Sequence, residues 1–254
     1  MRESSKVRRI ATAGKFCCAL VLSCCSAYGQ VSTVTARVQI KKKTDPKQTK
    51  GVKPPANLSE VVLWLTPLDR TPAESRSDKQ PPKRLQLIQK NKTFQPHVLV
   101  VPVGSAVDFP NRDPFFHNVF SLFDGKRFDL GLYEAGATNS VRFDRPGVSF
   151  LFCNIHPEMS AVVIAVDTPY YGVSDRAGSI TVSDVPDGKY ELQLWYERSL
   201  PEDLKALTKA VTVSSTTKDL GTINVLENPN FSPAHKNKYG QDYPAPPSRP
   251  YSNP

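Results

Sequence analysis

An all-β chain built as two small sandwiches is what this 254-residue sequence predicts, on three observations. Ten short segments are rich in Val, Ile, Phe or Tyr and bounded by Gly, Pro, Asn or Asp. No stretch sustains an apolar period of 3.6 residues, so long helices are not expected. No repeat recurs at a period of twenty to fifty residues, which argues against propellers and solenoids.

Taken in chain order, the strand-like segments are 34–40, 61–66, 98–103, 106–109, 140–143, 148–152, 161–166, 179–182, 190–196 and 210–213. The one helical candidate is 201–210, where Pro201, Glu202 and Asp203 suit a first turn and Leu204 and Leu207 can face inward. Residues 41–56, 71–84 and 227–254 carry no apolar rhythm and read as loops and a disordered Pro-rich tail. Residues 31–69 supply only two strands, which are marginal alone in water. Residues 170–226 supply about four more, with turn chemistry at Asp175-Arg176-Ala177-Gly178 and Pro186-Asp187-Gly188. Joining 31–69 to 170–226 makes one discontinuous sandwich, with 85–167 as a second domain inserted in it or adjacent to it.

Residues 1–29 read as a secretory signal peptide: Arg8, Arg9 and Lys15 precede an apolar run from Phe16 to Cys25, and small residues stand at Ala27 and Gly29 before a plausible cut. The run is too short for a helix to span a hydrocarbon core, which takes ~20 residues. A periplasmic or secreted protein is expected, with no transmembrane span in the mature chain. A lipoprotein is the lesser alternative, because Leu22 before Ser23-Cys24-Cys25 fits a lipid-attachment site poorly. Four of the five cysteines lie inside this leader, which leaves Cys153 to the exported chain, and Met159 is the one methionine beyond Met1. A single thiol in an oxidising compartment is buried and inert, pairs between chains, or binds metal.

The net charge of +9 is not gathered on a folded surface. Residues 1–29 hold +4 and residues 41–57 hold +5, whereas 88–167 balance at −1. With no reading motif beside a basic loop, nucleic acid is not an expected partner.

The chemistry concentrates in Phe150-Leu151-Phe152-Cys153-Asn154-Ile155-His156-Pro157-Glu158-Met159, which puts a thiol, an imidazole and a thioether at intervals of three after an apolar strand. A second imidazole stands upstream in Phe115-Phe116-His117-Asn118-Val119. Two His, one Cys and a weak axial Met are the ligand set of a blue-copper site. Cu(I) favours soft sulfur and Cu(II) favours nitrogen, so a plane of two imidazoles and a thiolate with a distant sulfur suits both moderately. Little then has to move when one electron arrives or leaves. Two residues between Cys153 and His156 let both side chains turn toward one point, Pro157 stiffens the return, and His117 must come from a separate strand or loop. The aromatics Phe115, Phe116, Phe150 and Phe152 are expected to keep water away.

Cys153-Asn-Ile-His156-Pro-Glu-Met159, preceded by Phe143-Asp-Arg-Pro-Gly147-Val-Ser-Phe150, resembles the C-terminal copper loop of the cupredoxins, most closely the amicyanin type, with plastocyanin having a longer His-to-Met gap. The stretch Val103 to Asp113 and His117-Asn118-Val119 resembles the strand leading to that family's first copper histidine. The wider pattern, from Leu63-Trp64-Leu65 to Leu194-Trp195, resembles exported methylamine-utilization-like proteins in which a Greek-key cupredoxin sandwich accompanies a carboxypeptidase-regulatory-like, transthyretin-like one. The resemblance implies one copper ion held by His117, Cys153, His156 and Met159, with Asn118 tying the ligand loops together and Pro157 and Phe115 beside the metal. It implies an electron carrier that is not an enzyme and that docks redox partner proteins. Glu158 stands where amicyanin has an aromatic and puts a carboxylate next to the site.

Other readings compete with this one. A cysteine nucleophile with His156 as base lacks a third group and an oxyanion hole. Structural zinc normally takes four strong ligands, and Met is a poor one. A copper carrier or store would use the same residues, and a module binding a partner or a glycan through the second sandwich is the alternative from another class. His97 and His235 have no sulfur neighbour and read as surface residues.

Overall fold

The computed structural model describes residues 31–42, 57–69, 85–122 and 125–244. The expected leader at 1–29, the linker at 71–84 and nearly all of the loop at 41–56 lie outside the described residues. The described chain is almost entirely β. In order it runs β1 (Val31–Lys42), β2 (Val62–Pro67), β3 (Leu85–Gln86), β4 (Ile88–Lys90), β5 (Thr93–Gln95), β6 (Val98–Pro102), β7 (Ser105–Pro110), β8 (His117–Ser121) and β9 (Phe128–Tyr133). It continues as β10 (Thr138–Phe143), β11 (Gly147–Cys153), β12 (His156–Val166), β13 (Tyr171–Val173), β14 (Ser179–Pro186), β15 (Gly188–Trp195), the short helix α1 (Pro201–Lys205), β16 (Lys209–Val213) and β17 (Asp219–Glu227).

The strands from 31–67 and 171–227 form two sheets, ordered β14-β1-β17 and β13-β2-β15-β16. In β1 the alternation is complete, with Val34, Ala36, Val38 and Ile40 buried while Thr35, Arg37 and Gln39 face out. These residues meet Leu63, Leu65, Leu192 and Leu194 in one hydrophobic cluster. The turn at Asp175 forms where its sequence demands: Asp175 Oδ1 accepts from the N–H of Ala177 and of Ser179, and Gly178 takes φ +79°. A side chain on Gly178 would also strike the Val38 carbonyl, 2.5 Å from where its Cβ would stand.

Residues 85–166 form the other two larger sheets, β6-β12-β11-β8-β9 and β10-β7-β3, and the small hairpin β4-β5. Phe109, Phe143, Leu151, Val119 and Val163 fill a second cluster between them. β12 belongs to both cores. Ala161, Val163 and Ala165 point into the second cluster, whereas Val162, Ile164 and Val166 point into the first. A strand buried on both faces needs an unbroken apolar run, which is what Ala161 to Val166 provides. β6 divides its residues likewise, with Val101 on one side and Val98 and Val100 on the other.

The structure corrects the sequence reading at several elements. The expected helix at 201–210 stops at Lys205, because Lys209 already opens β16 against β15. The strands β9 and β17 are interrupted in composition by Gly131 and Gly221, both at positive φ, and this hides them from a count of apolar residues. Residues 227–244 are not an unpacked tail. Glu227 ends β17, and the chain that follows lies against β11, the turn after it and β9 through His235, Tyr243 and Lys238.

His97, just before β6, is likewise more than a surface residue. Its Nδ1 faces the Ser160 carbonyl at 3.1 Å and its Nε2 faces Glu197 Oε2 at 2.7 Å. Two acceptors at two ring nitrogens require the imidazolium. The bond to Glu197 accordingly holds the His97 pKa above its ordinary 6.5 against the opposing effect of burial. A group raised on folding stabilises fully below its unfolded value and loses that contribution as pH rises through the folded value. Thermal stability is therefore expected to fall as pH climbs above 6.5, and His97→Ala, which costs about 1–2 kcal/mol at pH 6, should flatten that slope in a melting series from pH 5.5 to 8.5.

Candidate metal centre

Three strand ends build the site. β11 ends at Cys153 and β12 begins at His156, and the two residues are paired across a turn made by Asn154 and Ile155. The two-residue spacing is thus a hairpin turn, which puts thiol and imidazole on one side. His117 opens β8, the neighbour of β11, with Cys153 paired to Val119. The Cys153 Sγ lies 3.6 Å from His117 Nδ1 and 3.4 Å from His156 Nδ1, and one donor atom from each of the three residues falls within 4.8 Å of the others. Metal bonds of about 2.0–2.3 Å, at angles between tetrahedral and trigonal, set adjacent donors roughly 3.5–3.8 Å apart. The three residues fit a metal ion. Met159 is fully buried in the same cluster as Cys153.

Protonation prepares these atoms. His117 is fully buried, and its Nε2 donates to Asp113 Oδ2 at 2.9 Å, which leaves the lone pair on Nδ1, the atom facing the sulfur. Asp113 is itself buried and fixed by backbone. The β4-β5 hairpin turns through Asn91 and Lys92, with φ of 57° and 53°, and sends both N–H groups to the carboxylate at 2.6 and 3.0 Å. Burial pushes the Asp113 carboxyl up, but the Lys92 N–H, His117 and the Asn91 N–H outweigh it and hold the group below the ordinary carboxylate value. Positive φ at both positions is what a two-residue hairpin turn requires, and that turn aims the two N–H groups at the carboxylate. Burial, with His117 and Lys92 nearby, lowers His156 below its ordinary value. Burial raises the Cys153 thiol, while the backbone N–H groups of Asn118, Ile155 and His156 favour the thiolate.

No protein-family model matches the sequence, and no curated protein matches it. Solved structures do. The purple cupredoxin from Nitrosopumilus maritimus is 26% identical over 32% of this chain and 99% of its own, with a TM-score of 0.30. The copper-containing nitrite reductase from Thermus scotoductus SA-01 is 24% identical over 40% of this chain and 27% of its own, with a TM-score of 0.33. An oxidised proline-to-glycine variant of amicyanin is 18% identical over 35% of this chain and 89% of its own, with a TM-score of 0.32.

The expected neighbours of the site divide. Phe115 packs against both imidazoles, with ring centroids 5.3 Å from His117 and 5.4 Å from His156. Phe116 is half exposed instead of shielding the site, Phe150 faces Trp195 in the other cluster, and Phe152 lies under the His235 ring. Pro157 and Glu158 are exposed on β12. Asn118 ties β8 to the turn after Cys153 by its backbone, its carbonyl accepting the Asn154 N–H at 3.0 Å. Its side chain goes elsewhere, to Asp129 at 2.6 Å and the Gly131 carbonyl at 2.9 Å. The sequence reading missed Asp113, for which the signal was a carboxylate four residues before the upstream histidine, and missed the contacts of His235, Lys238 and Tyr243, which no local pattern announces.

Proposed function

We propose that the chain is an exported mononuclear copper protein of the type 1 class that carries single electrons between redox partner proteins. His117, Cys153 and His156 would hold the ion, with Met159 as the weak fourth ligand. The observation that carries this reading is the convergence of one buried thiol and two imidazole Nδ1 atoms from three strand ends. When bound, copper supplies a centre that takes up and releases one electron with little rearrangement.

The chain's own residues account for the rest. Asp113 orients His117 and sets its tautomer, backbone N–H groups favour the Cys153 thiolate, and Phe115 with the second cluster keeps water from the buried side. His156 is the half-buried edge of the site, and the exposed Ile155, Pro157 and Phe116 around it make a small apolar patch suited to weak, transient docking. Export through residues 1–29, and a division into a copper unit at 85–167 and a second sandwich from 31–69 plus 170–226, belong to the same proposal.

Voltammetry of the copper-loaded protein tests it. A reversible one-electron wave and rapid self-exchange are expected. Full copper loading without colour rejects a type 1 site, and facile loss of Cu(I) to a chelator without a reversible wave marks a metal carrier instead.

A further inference from the structure

We propose that residues 228–244 are a clamp on the metal-binding turn, in which Tyr243 is a positioning residue for Cys153 and the Lys238 backbone is one for Asn154. The contacts stand by themselves; their consequence for copper rests on the reading above.

The segment has neither strand nor helix of its own, yet it is held at successive points. The Asn228 N–H donates to the Arg198 carbonyl at 2.7 Å, and the Arg198 guanidinium lies 5.7 Å from the Phe231 ring. His235 stacks on Phe152, the residue before Cys153, at 3.9 Å between centroids and 17° between planes. A turn then forms around Asn237, whose Oδ1 accepts from the N–H groups of Tyr239 and Gln241. That turn presents Lys238 in two directions. Its N–H donates to Asn154 Oδ1 at 3.0 Å, and its Nζ pairs with Asp129 Oδ2 at 2.8 Å. Finally Tyr243, whose ring stands edge-on to that of His235, donates its hydroxyl to the Cys153 carbonyl at 2.9 Å.

These bonds close a circuit. Asn118, next to His117, bonds Asp129 by its side chain; Asp129 pairs with Lys238; Lys238 holds the side chain of Asn154; and the Asn154 N–H returns to the Asn118 carbonyl. The clamp therefore joins the strand that carries one imidazole to the turn that carries the thiol. A decorative tail would leave such polar groups to water. Here the Tyr243 hydroxyl is spent on the Cys153 carbonyl. A two-residue turn with both ends fixed from outside has less freedom to open, and opening is what metal release requires.

The test uses the full chain, its Tyr243→Phe variant, which keeps the ring and loses only the hydroxyl, and a chain ending at Glu227. In metal-free protein, amide hydrogen exchange at Asn154, Ile155 and His156 should quicken roughly two- to tenfold in Tyr243→Phe and more in the shortened chain, while Val38 and Val163 exchange unchanged. Copper loss to a chelator should accelerate by a similar factor. Unaltered exchange at 154–156 in Tyr243→Phe overturns the clamp even if the wild-type chain binds copper normally. Faster exchange in a protein that never acquires the thiolate colour sustains the clamp and removes the copper reading.

Discussion

Cys153→Ser is expected to abolish the intense visible absorption proposed for the Cu(II)-loaded protein and to weaken copper binding by more than ~100-fold. The absorption requires charge transfer from a thiolate, and a serine hydroxyl remains protonated where a thiol ionises against the metal. Nothing else among the described residues can substitute: Cys153 is the one free cysteine there, and both imidazole Nδ1 atoms are aimed at its sulfur. The replacement removes little volume, so circular dichroism should show a folded β protein throughout. Colour retained in Cys153→Ser would place the chromophore elsewhere and end the proposed assignment.

Asp113→Asn lowers copper affinity about 10–100-fold while the colour persists at saturating copper, because the thiolate is untouched. Both oxygens of the native carboxylate act as acceptors, Oδ1 for the Asn91 N–H and Oδ2 for the Lys92 N–H and His117 Nε2. An amide offers one acceptor and an N–H₂ group. Whichever way it turns, a donor meets a donor: either the Asn91 N–H is opposed, or His117 and Lys92 are. In the second orientation His117 turns over its tautomer or its ring, and the Nδ1 lone pair is lost from the site. A chelator competition series measures the effect. Unchanged affinity in Asp113→Asn would mean that the carboxylate serves the β4-β5 turn alone.

The candidate site was legible in the sequence to the extent that its geometry is local. Cys153, Asn154, Ile155 and His156 form one hairpin turn, so their spacing carries the geometry, and a lone sulfur pair flanking a histidine narrows the donor set. His117 needed a strand pairing to come near, which the sequence implies only through an apolar stretch around it. Asp113 and the clamp were harder, since backbone N–H groups from Asn91 and Lys92 and a tyrosine ninety residues after the thiol act through folded proximity. The strand reading succeeded wherever one or both faces are apolar, as in β1 and β12. It failed at β9 and β17, where a glycine at positive φ sits in a register shift and the pairing continues on either side, and at β8, whose His, Asn and Ser are buried for reasons other than hydrophobicity.

The strand that carries His156 and Met159 at its start is also, farther along, a party wall between two interiors. An excised piece spanning only 85–167 would bare Val98, Val100, Val162, Ile164 and Val166 as one greasy stripe, and such stripes draw copies together. Anyone wishing to produce the piece that holds the candidate site by itself must first repaint that wall with polar side chains, leaving the alternate residues Val101, Ala161, Val163 and Ala165 untouched.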